Sequence, residues 1–165
     1  MELSAHAARI FLPFALGFAF WVAWSDMKYM KIFNKTVLAL VGVYAVVGLL
    51  ALPLDEYLWR YANLGVVLLI GFLLSSLGWV GGGDAKFAAA IAPFIAPGDA
   101  TLVLYLFSAV LIAAFIIHRL ARRIGAVRAM APDWVSWEEV RKFPMGLALG
   151  GTFAIYIALA SWFGA

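Results

Sequence analysis

Apolar residues fall in six runs, at roughly 7–25, 36–54, 61–79, 85–97, 100–118 and 144–163, with short polar segments between them. A helix rises 1.5 Å per residue, so about 20 apolar residues span a ~30 Å hydrocarbon core. Five runs reach that length. The fourth has 13 residues, about 20 Å as a helix, and Pro93 and Pro97 interrupt it. It is expected to be a short span shielded by its neighbours or a broken one, because irregular backbone at membrane depth needs protein or water around it. The pattern predicts an all-α integral membrane protein: one polytopic domain over 1–165, a bundle of about six transmembrane helices.

Composition narrows the class. Hydrophobic residues make up 66% of the 165 and charged residues 13%. A soluble domain averages roughly 45–50% apolar and ~25% charged, so a water-soluble enzyme and a disordered chain are excluded. With no cysteine there is no disulfide framework, thiolate metal site or cysteine nucleophile. The net charge of +3 reads as loop charge set by topology, not as nucleic-acid binding. The early segment of the chain, into the first run, has Glu2 and a single Arg9, and no small-x-small site follows. It is expected to be a span and not a cleaved signal.

The basic residues give an orientation. Lys28, Lys31 and Lys35 lie in 26–35, and Lys86 in 80–86. Arg119, Arg122, Arg123, Arg128, Arg141 and Lys142 lie in 119–143. In a six-span chain these segments share one side, leaving Arg9 and Arg60 on the other. Positive charge favours the cytoplasm, so that side is expected inside and both termini outside. A re-entrant fourth run would break the pattern. In 119–143, Ser136 and Glu139 have capping-box spacing, and Trp134 and Trp137 suit a lipid interface. A short interfacial helix is expected there. Ala85, Ala88, Ala89, Ala92 and Ala96 give the fourth helix a narrow face, and Gly146 and Gly150 form a G-x-x-x-G; both predict close helix approach.

Candidate chemistry rests on the carboxylates. Asp55 lies in a short outer loop, Asp133 in a polar loop, and Asp99 precedes a span, where it is expected as a helix N-cap. Asp26 and Asp84 sit at the edges of spans on one predicted side, where carboxylates are costly and often functional. Each has a structural alternative. Asp84 follows Gly81-Gly82-Gly83 and could cap a helix, and Asp26 could pair with Lys28 or Lys31. A phosphate cradle at the glycines lacks the required spacing, and Asp84 would repel the anion. The only histidines, His6 and His118, lie far apart, and His118 is expected as an interfacial ring, so no metal site is predicted. Two carboxyl groups sharing a site cannot both ionise easily. One can take a proton from water while the other polarises a scissile carbonyl.

Gly81-Gly82-Gly83-Asp84-Ala85-Lys86 resembles the G-x-G-D-x-K signature of type IV prepilin peptidases, membrane aspartyl proteases of GxGD type. The segment from Asp26 to Asn34 resembles their first motif, with Asp26, Lys28, Lys31, Ile32 and Asn34 in place and Phe33 where proline is usual. Phe143-Pro144-Met145-Gly146 is similar to the Pro-aromatic-Gly that opens their last helix, with Met145 in the aromatic position. The order and spacing of the motifs and the six spans extend the resemblance over essentially the whole chain.

The resemblance implies Asp26 and Asp84 as the catalytic pair. Gly81, Gly82, Gly83, Lys86, Lys31, Asn34, Pro144 and Gly146 are implied as motif and supporting residues. Two residues from Asp84, Lys86 is expected to orient it and is not read as catalytic. No cofactor is expected. The implied partner, besides membrane lipid, is a prepilin with an apolar N-terminal helix and a basic leader, cleaved at the cytoplasmic face of the inner membrane. Larger relatives add a region with paired cysteines and methylate the new terminus. This chain resembles the short peptidases of Tad/Flp pilus systems. Archaeal preflagellin peptidases are similar in layout. A non-catalytic subunit of a pilus or secretion assembly is the main rival; a proton carrier is opposed by the lack of a mid-span acid. The stripe of Lys28, Lys31 and Lys35, if helical, is expected to contact lipid.

Overall fold

The computed structural model describes residues 1–139 and 142–165, and every described regular element is helical. In chain order the helices are α1 (Ala5–Tyr29), α2 (Asn34–Ala51), α3 (Leu54–Ser76), α4 (Gly82–Ile91), α5 (Ala100–Ala121), α6 (Gly125–Met130) and α7 (Met145–Phe163). Short 3-10 turns lie at Ala92–Phe94, Pro97–Asp99 and Val135–Trp137. Five helices, α1, α2, α3, α5 and α7, are long and apolar enough to cross a membrane. The chain is a multi-pass membrane protein. Arg141, counted above among the basic residues, lies outside the described residues.

Local chemistry sets the helix ends. Ser4 caps α1, its Oγ accepting from the Ala7 N–H at 3.2 Å. The helix stops at Met30, which turns left-handed at φ 50°. That turn separates Lys28 from Lys31 and Lys35, so the three lysines form no helical stripe. Lys28 lies over the Trp24 and Tyr29 rings and Lys31 over Phe33. Pro53 precedes α3, whose first turn carries Asp55 and Glu56, the sign a helix N-terminus favours.

The bundle is built on α1 against α7, its most extensive contact. Gly150 makes that approach possible: a Cβ there would sit 2.8 Å from the Ala19 carbonyl oxygen. The G-x-x-x-G expectation is thus met by a backbone crossing. On α4, Ala85 faces Gly71 of α3, where a Cβ would come within 2.9 Å of the alanine's own. Half of the α7 span is buried, whereas α3 and α5 bury very little of theirs.

The fourth run ends as the prolines predict, α4 giving way to 3-10 turns. Backbone groups freed by the break find side-chain partners. Arg60, fully buried on α3 and ion-paired with Glu56, donates to the Pro93 carbonyl at 3.4 Å, and Asn63 Nδ2 donates to Ile95 at 3.3 Å. The Ala96 N–H donates to the Tyr156 hydroxyl at 3.1 Å. These bonds let irregular backbone sit inside the bundle. Phe94, at the break, packs edge-on against Phe11, Tyr44 and Phe153 at centroid distances of 5.0–5.2 Å, tying the turn to α1, α2 and α7.

Three expectations are corrected. Asp99 stands at the N-cap of α5 but makes no cap bond. Its carboxylate accepts instead from the Glu2 and Leu3 N–H groups and the Tyr156 hydroxyl, anchoring the start of α1. Ser136 forms no capping box. It is buried in a 3-10 turn and its Oγ donates to the Met27 sulfur at 3.7 Å. Trp137 and His118 do not face lipid: both are buried and stack face to face at 5.4 Å. The turn packs on α1 beside Met27, which places Trp137 inside and not at the surface. The short helix of this segment is α6, which precedes the tryptophans.

Candidate active site

Asp26 lies in the last turn of α1, with only 5% of its surface exposed. Its Oδ2 accepts a 2.6 Å hydrogen bond from the Gly146 N–H. Gly146 is the second residue of α7, where backbone N–H groups have no partner within the helix. Pro144, at the N-cap position, makes no side-chain cap bond. The carboxylate of Asp26, 120 residues away in the chain, takes that role. Any larger residue at 146 would collide with it, since a Cβ would lie 2.8 Å from the Asp26 Cβ and 3.0 Å from Val22 Cγ1. Asp26 therefore pairs with a helix terminus and not with Lys28 or Lys31.

Asp84 is the third residue of α4, and Gly81 occupies the cap position that the alternative assigned to Asp84. The aspartate side chain folds back over Gly81, where a Cβ would sit 2.5 Å from Oδ2. Glycine at 81 gives the carboxyl its room. Gly83 places its bare face 3.4 Å from Ile32 Cβ and from the Ile32 carbonyl, so the glycine run packs on the first motif. Gly82 faces the Ser75 hydroxyl. Burial first, and then the negative charge of Asp26, push the Asp84 carboxyl up to about 7, while the Gly81 backbone works in the opposite direction.

Lys86 points to the first motif, its hydrogen bond going to Asn34 and not to Asp84. Its Nζ donates to Asn34 Oδ1 at 3.2 Å, joining the starts of α4 and α2. Both motifs are thereby tied together at the end of the bundle that carries the two aspartates. Lys31 is exposed and engaged with the Phe33 ring. Sequence reasoning picked out Gly146 as a motif residue and missed its bond to Asp26. It missed Met27 and Ser136 as a contact covering the neighbour of Asp26; no signal marked that pair.

Two carboxyl groups at one end of a bundle, one holding its proton to near-neutral pH, can perform general acid–base chemistry on water and a carbonyl. They titrate as a pair, so the base is not assigned to either one.

The family model described as the type IV leader peptidase family matches residues 13–117, more than half of the chain and a stretch containing Asp26 and Asp84. No curated protein and no solved structure matches the chain. A multi-pass helical bundle, the two motif aspartates at one end and this match agree: the chain belongs to the type IV leader peptidase family.

Proposed function

We propose that this peptidase is an aspartyl endopeptidase that removes the basic leader from Flp-like type IV prepilins, with Asp26 and Asp84 as its catalytic pair. One observation carries the reading: the glycine run before Asp84 packs on Ile32 of the first motif, and Lys86 bonds Asn34, so the segments bearing Asp26 and Asp84 meet at one end of the bundle; burial first, and then the charge of Asp26, raise the Asp84 carboxyl to about 7. A buried carboxyl beside a second one is suited to acid–base work near neutral pH. The ionised carboxyl takes a proton from water as the water oxygen attacks the scissile carbonyl. The protonated partner donates to the carbonyl oxygen. When the C–N bond breaks, a proton passes to the leaving amine, and the two products are an acid and an amine.

The charge bias supports an orientation with 26–35, 80–86 and 119–143 in the cytoplasm and both termini outside. Both aspartates then lie at the cytoplasmic face of the inner membrane, where a basic leader would remain.

The test is co-expression with a Flp-type prepilin from the same genome, and in parallel with an archaeal-type preflagellin. Leader removal is read as a gel shift. Processing of the Flp-type substrate is expected. Processing of the preflagellin alone would reassign the substrate, and processing of neither would overturn the reading.

A further inference from the structure

A groove of about 700 Å³ runs between α3, α4, α5 and α7, and Asp84 forms part of its wall. Its floor is the small-residue face of α4, with Ala85 and Ala88, continued by Ala92 at the start of the 3-10 turn; Val67 on α3 and Val103 on α5 flank it. From Leu74 to Asn63 along α3 it extends about 16 Å, about three helical turns. The lining is apolar. The polar residues at its far end are already engaged: Asn63 donates to Ile95, Thr152 to Ala148 and Tyr156 to Asp99. Asp84, folded back over Gly81, is thus the carboxyl group at one end of an otherwise apolar channel. Within the bundle α3 packs chiefly on α4 and α5 on α7, and α3 and α5 scarcely touch. The groove therefore opens sideways, between two helices long enough to cross a membrane and little buried by their neighbours.

A second groove, of about 440 Å³, lies between α1 and α2. It is lined by Phe14 and Gly17 and carries Lys35 in place of an acid. A chain with a basic segment next to an apolar helix suits the first groove, where the Asp26–Asp84 pair keeps one negative charge while Asp84 holds its proton, and is repelled by the lysine of the second.

We propose that the groove between α3, α4, α5 and α7 is the docking slot for the substrate's own apolar helix, which enters laterally from the bilayer and lies along the alanine face of α4. This rests on the peptidase reading above. The occupant is one face of a single helix about three turns long, packed helix-in-groove with its other face toward lipid. The alanines allow close backbone approach. The slot places the first residues of that helix, and the bond preceding them, at the Asp84 end. An apolar face on the first three turns of the substrate helix is then a requirement for cleavage.

The test is site-specific photocrosslinking in membranes where the wild type removes the leader from the Flp-type prepilin. A benzophenone amino acid is placed at Val67 or Val103 in the slot, and at Phe14 or Ala39 in the other groove, in an Asp84→Asn background that preserves the substrate. Adducts with the prepilin are expected from Val67 and Val103 and not from Phe14 or Ala39. In otherwise wild-type protein, Ala88→Trp should slow leader removal by at least about tenfold by overfilling the slot, whereas Ala39→Trp should leave it unchanged. Adducts confined to Phe14 and Ala39, or adducts from none of the four, would overturn the slot and leave the peptidase reading intact. Leader removal that survives Asp84→Asn would remove the peptidase reading itself, whatever the adducts show.

Discussion

The N–H of Gly146 donates to Asp26 Oδ2 at 2.6 Å, so the first turn of α7 holds the carboxylate that ends α1. The bond joins residues 120 positions apart and needs a residue with no side chain on the α7 side. Gly146→Ala should therefore lower leader cleavage by at least tenfold, because the added Cβ displaces Asp26 directly. Gly150→Ala, one turn further along, should cost a similar ~1–3 kcal/mol of stability by pushing on Ala19. Its cleavage rate per folded molecule should fall much less. Melting in detergent alongside cleavage rates separates the two; equal losses of rate would contradict a specific role for position 146.

Asp84 gives a pH dependence with a definite sign. Its folded value is raised from 3.8 to about 7, so the folded state binds a proton that the unfolded state releases. The stability this contributes is fully present below pH 3.8 and is lost as pH rises through about 7. Asp84→Asn removes the effect. The variant should therefore melt higher than wild type at pH 8, with the gap closing toward pH 4. A gap that widens toward low pH would contradict the raised value.

The same proton bears on rate. If Asp84 must hold its proton while its partner is ionised, cleavage should decline as pH climbs above about 7. A rate that keeps rising from pH 7 to pH 9, with substrate and enzyme intact, would contradict that division of labour.

Arg60 supports the broken fourth run. Arg60→Ala leaves the Pro93 carbonyl without its donor and Glu56 without its partner. A loss of ~1–3 kcal/mol is expected for the buried carbonyl left unsatisfied, seen as a lower melting temperature in detergent. An unchanged melting temperature would show that the 3-10 turn needs no external donor.

The bond between Lys86 and Asn34 is exposed and ordinary in length. A double-mutant cycle with Lys86→Met and Asn34→Ala should give a coupling of at most ~1 kcal/mol. Each single variant should retain most of its cleavage activity. Inactivation by Lys86→Met would mean that the lysine acts on the reaction itself.

Spans and motif acids were legible because their signals are local. A run of apolar residues measures its own length, and Pro93 and Pro97 announce the break between them. Asp26 and Asp84 stood out by charge at span edges and by the glycines beside one of them. Asp99 was misread because a carboxylate before a helix has an adequate local explanation. Its true partners, Glu2, Leu3 and Tyr156, come from distant segments. Ser136, Trp137 and His118 failed for the same reason: their partners depend on where the segment after α5 folds back. Lys86 was paired with its sequence neighbour Asp84, while the helix start aimed it at Asn34. Rotation of each helix about its axis decides such contacts, and an almost uniformly apolar helix carries little sequence record of that rotation.

The central claim is that Asp26 and Asp84 act together on one peptide bond. The direct measurement is leader removal from the Flp-type prepilin by wild type, Asp26→Asn and Asp84→Asn, each at equal membrane levels. The account predicts complete removal by wild type and none by either variant. Cleavage at the wild-type rate by either variant would contradict it.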